Sequence, residues 1–104
     1  MLYISHKFSL NMLNDQVLIG NDGLVSVLPI SPSSARELVE ENKEHIVSLI
    51  DLPELQKLFT QQLGVQLGDP QRNIRLKESD IVLVGFSNDA HGRIKFYCVE
   101  YAMV

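Results

Sequence analysis

The chain has 104 residues, with 13 acidic and 9 basic side chains and a formal net charge of -4. This length predicts a single domain over residues 1–104 that has a core of its own. The negative balance excludes the overall positive field of duplex nucleic-acid binders, although a small anionic ligand needs only a local cluster of cations. No apolar run approaches the length of a membrane span, so we expect no membrane partner and a cytoplasmic protein.

The first part of the chain contains three predicted strands. Tyr3 to Ser5 is a short apolar run, and Gln16 to Ile19 is a second one. The second run ends at Gly20-Asn21-Asp22-Gly23, whose residue types tolerate the positive φ angles of a tight turn. We therefore expect Leu24 to Leu28 to pair back on the second strand as a hairpin.

A first helix is predicted after this hairpin. Ser31 followed by Pro32 is typical of an N-cap and a first helical position. The helical pattern of apolar residues ends near Asn42 or Lys43. The run from His45 to Ile50 is then rich in β-branched residues and predicts a further strand.

A second helix follows, and its apolar residues recur on one face. Asp51 lies three residues before Glu54, which predicts a capping box at the start of this helix. Gly64 is expected to end it. The spacing is typical of a helix packed on a sheet. The residues of the apolar face are Leu55, Leu58, Phe59 and Leu63.

The last part of the chain predicts three more strands. Asn73 to Lys77 alternates apolar and polar residues, which indicates one solvated face, whereas Ile81 to Val84 is apolar on both faces and should be central. After a loop from Ser87 to Gly92, Arg93 to Tyr101 alternates again and carries Cys98, which we expect to be buried. The elements together predict an α/β or α+β domain, in which a mixed, mostly antiparallel sheet of about five to seven strands packs with two helices.

Familiar motifs of catalysis and cofactor binding are absent from the sequence. It contains no P-loop, no glycine-rich dinucleotide fingerprint, no Cys/His cluster with metal-ligand spacing and no Gly-x-Ser-x-Gly elbow. We therefore expect no cofactor and no metal site. Any function must come from a constellation of ordinary polar side chains.

Three residues are candidate contacts to an anion. Arg72 follows Gly68-Asp69-Pro70, where a loop meets a strand, and a guanidinium there can hold a phosphate bidentately. The alternative is a surface ion pair. Ser9 and Asn11 follow the first strand and can bind an anion through a hydroxyl and an amide, or can simply cap a turn.

His6 is the best placed of three histidines to act on such a ligand. It follows the first strand, lies next to Lys7 and precedes Ser9 and Asn11, and histidine exchanges protons near neutral pH. The alternative is an ordinary surface histidine. His45 is expected to be exposed at a junction between helix and strand, and His91 to be a turn residue.

Three blocks of the sequence carry a resemblance to a known family. They are the run from Phe8 to Leu13, the helix end Leu63-Gly64-Val65, and Gln71-Arg72 with the following turn Lys77-Glu78-Ser79-Asp80. These blocks resemble the small viral and mobile-element protein family that includes the viral type III anti-CRISPR ring nucleases, which bind and linearise cyclic tetra-adenylate. The resemblance implies that Arg72 contacts the ligand.

The sequence departs from the family at catalytic positions. Leu52 stands where the family has a histidine that protonates the departing oxygen, and Asp51 stands where it has a glycine. His6 replaces the usual asparagine before Phe8. The segment from Ser87 to Gly92 lacks the family's catalytic glutamate and its lid-like helix. A leucine cannot transfer a proton, and a missing general acid costs about 10²–10⁴-fold in rate.

The resemblance therefore implies binding without efficient cleavage. We expect a homodimer whose cleft binds a cyclic oligoadenylate-like second messenger through Lys7, Ser9, Asn11 and Arg72, and which antagonises antiviral signalling in the host cytoplasm. Sequestration, or slow cleavage with His6 as the catalytic residue, would achieve this. The alternatives are a weak metal-independent ring nuclease and a non-enzymatic dimeric viral or plasmid protein that binds other proteins. In the last class, Leu52, Phe59 or their apolar neighbours would close the cleft.

Overall fold

A computed structural model of the chain describes residues 1–7, 23–71, 74, 76, 79–88 and 93–103. Within these residues it contains five strands and two helices. Their bounds in chain order are β1 (Leu2–Ser5), β2 (Gly23–Ile30), α1 (Pro32–Glu41), β3 (Ile46–Ser48), α2 (Pro53–Leu63), β4 (Ile81–Asn88) and β5 (Arg93–Met103).

The strands form one mixed sheet in the order β2-β5-β4-β1-β3. β1 pairs in parallel with both β3 and β4, whereas β5 pairs antiparallel with β4 and β2. The antiparallel pairings are the longer ones, running from Gly23 opposite Met103 to Ile30 opposite Phe96 and from Ile81 opposite Glu100 to Asn88 opposite Arg93. The predicted α+β domain, with two helices on a mixed, mostly antiparallel sheet, is confirmed.

The main core lies between one face of the sheet and the two helices. Phe59 of α2 and Phe96 of β5 meet edge to face, with ring centroids 6.1 Å apart. Gly85 of β4 lies under this pair, because a Cβ at position 85 would be 2.6 Å from Cζ of Phe59. The buried residues of the cluster are Leu2, Ile4, Ala35, Val39, Ile50, Phe59, Leu63, Leu67, Leu83, Ile94 and Phe96. The two helices therefore cover one face of the sheet and fix its strands.

The opposite face of the sheet is not covered by α1 or α2 and carries a smaller apolar cluster. Side chains alternate between the two faces of a strand, so Val82 and Val84 point away from the helices, as does Val99 of β5. Leu76 is buried against them, and the half-buried Ile74 packs there too. The alternation from Asn73 to Lys77 predicts that the apolar residues Ile74 and Leu76 point inward. This direction is confirmed, although neither of the two residues is in a strand.

The helix starts differ from each other. At α1 the predicted cap is confirmed, because the Ser31 hydroxyl oxygen accepts from the amide of Ser34 at 3.1 Å and Pro32 opens the helix. At α2 the predicted capping box is wrong. The N-cap residue is Leu52, which offers no side-chain acceptor, and Asp51 is exposed one residue too early to cap. Pro53 shifts the helix start by one residue, since its fixed φ suits the first helical position.

The helix ends and the apolar face agree with expectation. α1 ends with Asn42 as its C-cap, and α2 ends at Gly64, whose φ of 67° is in the left-handed region that glycine favours. Leu55 and Leu58 pack against the main core, beside the buried Phe59 and Leu63.

Several predicted bounds change. The strand at His45 to Ile50 is shorter, since β3 is Ile46–Ser48, and β4 runs on to Asn88 through the predicted loop start at Ser87. Cys98 is half-exposed, not buried, because the helices do not extend over its end of β5. The predicted strand Gln16 to Ile19 lies outside the described residues, and among the described strands β2 pairs with β5.

Candidate functional site

The ends of two neighbouring parallel strands bring the candidate residues to one edge of the sheet. β1 lies between β4 and β3, and the amide of Leu49, just after β3, donates to the carbonyl of Ile4 at 2.8 Å. Residues Ser5 to Lys7, at and after the end of β1, and Leu49 to Glu54, after β3, therefore leave the sheet at the same edge. We call these two segments the carboxyl edge. Open sheets with parallel strands bind ligands most often at such an edge.

His6 carries the most unusual polar atom of the carboxyl edge. The residue is half-buried, and its Nδ1 is fully buried without a hydrogen-bond partner among the described residues. Buried nitrogen atoms are almost always satisfied, because leaving one unpaired costs about 1–3 kcal/mol. A ring rotation that exposed this nitrogen to a hydrogen-bonding partner would remove that cost.

The backbone after β1 is held by a buried serine. The Ser5 hydroxyl donates to the carbonyl of Lys7 at 2.6 Å and accepts from the amide of Lys7 at 3.2 Å. This local turn fixes the direction of the chain at His6. The side chain of Lys7 is exposed, so its ammonium group is accessible from solvent.

The start of α2 completes the carboxyl edge. Leu52 is 50% exposed and provides no side-chain cap, so the first backbone amides of α2 have no acceptor from it. The N-terminus of a helix carries a partial positive charge and attracts acceptors. Two carboxylates oppose an anion here, however, since Asp51 and Glu54 are both exposed. Lys7 is the one cation of the two segments, so their formal charge is negative.

Most of the predicted ligand contacts lie outside the described residues. Ser9, Asn11 and Arg72 lie outside the described residues, as does His91. Gln71, which precedes Arg72 in sequence, donates its amide to the carbonyl of Ser48 at 2.9 Å and is thus anchored at the end of β3. His45 is exposed as predicted, and its carbonyl accepts from the amide of Leu2 at the opposite edge of the sheet.

Two residues of the interaction-protein hypothesis do not close a cleft at this edge. Leu52 is half-exposed, and Phe59 is fully buried in the main core against Phe96. The sequence did not predict a groove that lies beside β3. A groove of about 560 Å³ follows the outer edge of β3, where Tyr3, Ser48 and Gln71 contribute polar atoms. Nothing in the sequence pattern places Gln71 beside β3.

Two titrating side chains have shifted pKa values. Burial, and secondly the charge of Asp80, raises the pKa of Tyr3 above its ordinary value of 10.0. Burial also raises the pKa of the Cys98 thiol, and the charge of Glu100 and a hydrogen bond to it add to the effect. Both groups are therefore neutral at physiological pH. Within the described part of the chain, no group of three His, Cys, Asp or Glu side chains is placed to hold a metal ion.

Comparison with known proteins shows the fold. No protein-family model matches the chain, and no curated protein matches it. Among solved structures, the chain is similar to B116 of Sulfolobus turreted icosahedral virus, with a TM-score of 0.76 and 17% identity over 95% of this chain and 97% of that one. The chain thus shares its fold with a small viral protein. The described helices include none long and apolar enough to cross a membrane.

Proposed function

We propose that the protein binds a cyclic oligonucleotide second messenger, of the cyclic oligoadenylate type, at the carboxyl edge. The observation that carries the proposal is the unpartnered Nδ1 of His6, which follows β1 at the same edge of the sheet as the uncapped start of α2. A ligand with polar base edges and phosphate oxygens supplies acceptors for the backbone amides that Leu52 leaves uncapped, and a small rotation of the half-buried His6 ring would bring Nδ1 within reach of the same ligand.

The local charge limits how such a ligand is held. Asp51 and Glu54 outnumber Lys7, so the general field at this edge does not attract an anion. Binding therefore depends on directed hydrogen bonds and on Arg72, whose guanidinium can grip a phosphate bidentately. Ser9 and Asn11 add a hydroxyl and an amide in the same role. A homodimer would offer two such edges to a two-fold symmetric ring.

The proposed biological effect is sequestration of the messenger, which antagonises a nucleotide-signalled antiviral defence. The fold shared with a viral protein supports a viral or mobile-element origin. In ring cleavage the ribose 2'-hydroxyl attacks the adjacent phosphorus, a base accepts the hydroxyl proton, and an acid protonates the departing 5'-oxygen. Leu52 supplies no such acid, so any remaining cleavage depends on His6 and is slow.

Calorimetric titration with a panel of cyclic oligoadenylates tests the proposal. We expect binding that His6→Ala weakens by about tenfold, the value of one hydrogen bond. Arg72→Ala should weaken it at least as much, because bonds to charged groups are stronger. His45→Ala is the matched control, since His45 is exposed at the opposite edge. Absence of binding, or equal affinity of the wild type and His6→Ala, would contradict the proposal.

Chromatography of the ligand after long incubation separates sequestration from slow cleavage. Intact ligand indicates sequestration. A linear product with a 2',3'-cyclic phosphate, which disappears with His6→Ala, would instead identify a weak nuclease in which His6 transfers a proton. Cleavage that persists in the His6→Ala variant would exclude His6 as the catalytic residue.

A second candidate function is a non-enzymatic dimeric protein that binds other proteins. It is favoured by exposed apolar side chains on the face of the sheet that α1 and α2 do not cover. Val27 is 55% exposed and pairs with Val99, and Phe86 is 50% exposed and contacts Tyr97 edge to face at 5.6 Å. Light scattering of the wild type and of Val27→Lys tests this function, which predicts a dimer that the lysine converts to a monomer. A monomeric wild type would exclude it.

A further inference from the structure

A second surface, apart from the carboxyl edge, lies beside the first residues of β5. β2 pairs with β5 only as far as Ile30, which lies opposite Phe96, whereas β5 begins at Arg93. Residues Arg93 to Lys95 therefore pair with β4 on one side and with no described strand on the other. Their outer backbone groups form a short free edge inside an otherwise paired region.

The sequence itself stops β2 at this point. Ser31 turns the chain into α1 by capping it, and Pro32 follows at the first helical position without an amide hydrogen to donate. β2 therefore cannot continue along β5. The free edge exists because α1 begins at this point and ends β2. It is not a frayed strand end.

The free edge opens into a groove of about 530 Å³, which we call the β5 groove. Its walls include Pro29 and Pro32 on one side, Gln62 of α2, and Arg93, Lys95 and Tyr97 of β5. Ile94 and Phe96, whose side chains point to the opposite face of β5, line the same groove. Because residues from both faces of one strand contribute, the groove runs beside the strand and not over a face of the sheet.

The charge of the β5 groove is opposite to that of the whole chain. Arg93 and Lys95 are both exposed, and neither forms an ion pair with another described residue. Among the described residues that line the groove there is no carboxylate. Two unpaired cations beside an apolar wall, in a chain of net charge -4, attract an acidic partner.

We propose that the β5 groove binds an extended acidic segment of a partner protein, which adds as a short strand along Arg93 to Lys95. An extended peptide satisfies the free backbone groups, as in other complexes formed by strand addition. Alternate side chains of the peptide would contact the proline wall, and acidic side chains would pair with Arg93 and Lys95. This proposal is independent of ligand binding at the carboxyl edge, because no residue of that edge lines the groove.

Fluorescence polarisation with a short labelled peptide that alternates glutamate and valine tests the inference. Two control peptides test the charge match and the strand pairing separately. One replaces glutamate by lysine and removes the charge match, and the other carries N-methyl groups on every backbone amide and removes strand pairing. We expect the first peptide to bind, with an affinity that falls as salt is added, and both controls to fail.

Matched protein variants locate the binding. The double variant R93E/K95E should bind the peptide about tenfold more weakly or worse, because two attractive contacts become repulsive. The control R36E/K57E makes the same change in net charge at exposed positions outside the groove and should bind like the wild type. Circular dichroism melts verify that both variants fold.

Four outcomes would overturn the inference. They are no binding of the acidic peptide, equal loss in the two double variants, undiminished binding of the N-methylated peptide, and binding of single-stranded oligonucleotides in place of the peptide with the same dependence on Arg93 and Lys95. The last outcome would assign the groove to nucleic acid. None of these outcomes affects the calorimetric comparison of the wild type with His6→Ala for cyclic oligoadenylate binding. The two proposals can therefore fail separately.

Discussion

The two faces of the sheet are built in different ways. The helix-covered face buries a large cluster in which Phe59, Phe96 and the backbone of Gly85 fit closely. The face that α1 and α2 do not cover has a smaller buried cluster among the described residues and leaves Phe86 and Val27 at least half exposed. We infer that the first face provides most of the folding stability. The second face, and the edges between them, can change with less effect on the fold, which leaves them free to serve binding.

Removing one aromatic ring from each face should give the largest contrast. Phe59→Ala deletes a fully buried ring and should lower the free energy of unfolding by about 3–5 kcal/mol. Phe86→Ala deletes a half-exposed ring and should cost about 1 kcal/mol or less. Urea denaturation of the two variants measures both values. Equal losses would mean that the two faces contribute equally to the free energy of unfolding, which would contradict the difference proposed here.

The close fit of the covered face can be tested without removing any atom. In Gly85→Ala the new methyl group would lie 2.6 Å from Cζ of Phe59 and 2.7 Å from Cγ2 of Ile94, so the unfolding free energy should fall by about 1–3 kcal/mol. Gly68→Ala is the matched control, because nothing lies within 4 Å of its added Cβ. A thermal melt of Gly85→Ala that superimposes on that of the control would show that the face is loosely packed.

The helices of the covered face differ in their caps, and this difference predicts effects of opposite sign. Ser31→Ala removes the cap of α1 and should destabilise the protein by about 1 kcal/mol. Leu52→Asn introduces a cap on α2 and should stabilise it by about 0.5–1 kcal/mol. Chemical denaturation measures both. If Leu52→Asn also weakens cyclic oligoadenylate binding, the amides at the start of α2 contact the ligand.

The smallest expected effect concerns alkaline pH and one titrating side chain on each face of the sheet, Tyr3 and Cys98. The raised pKa of Tyr3 means that the unfolded chain loses this proton first, so stability should fall as pH rises above about 10. The raised pKa of Cys98 adds an earlier fall that begins near pH 9. The free energy of unfolding, plotted against pH across this range, should fall less steeply for Tyr3→Phe and Cys98→Ser than for the wild type. A wild-type stability that rises with pH would contradict the sign of both shifts.

Local patterns in the sequence predicted most of the fold. The pair Ser31-Pro32 marked the start of α1, Gly64 marked the end of α2, and the apolar run at Ile81 marked the central strand, because each depends on backbone preferences of a few residues. The exposure of Cys98 was missed, since the alternation of a strand does not show how far the covering helices reach.

The candidate site was predicted only in part. His6 was selected for its position after β1, but its buried and unpartnered nitrogen depends on tertiary packing that no local pattern encodes. The capping box at Asp51 failed because the preference of Pro53 for the first helical position overrode it. The sequence predicted only that Arg93 begins an alternating strand, since a free edge beside Arg93 and Lys95 is visible only when the pairing of β2 with β5 is known.

The proposed binding of a cyclic oligonucleotide at the carboxyl edge has a direct test. Amide chemical-shift mapping by NMR, with cyclic tetra-adenylate titrated into labelled protein, tests this directly. We expect the largest shifts at Ser5 to Lys7 and at Leu49 to Glu54, and little change at the amides of Arg93 to Lys95. Shifts confined to Arg93 to Lys95, or no shifts at saturating ligand, would contradict it.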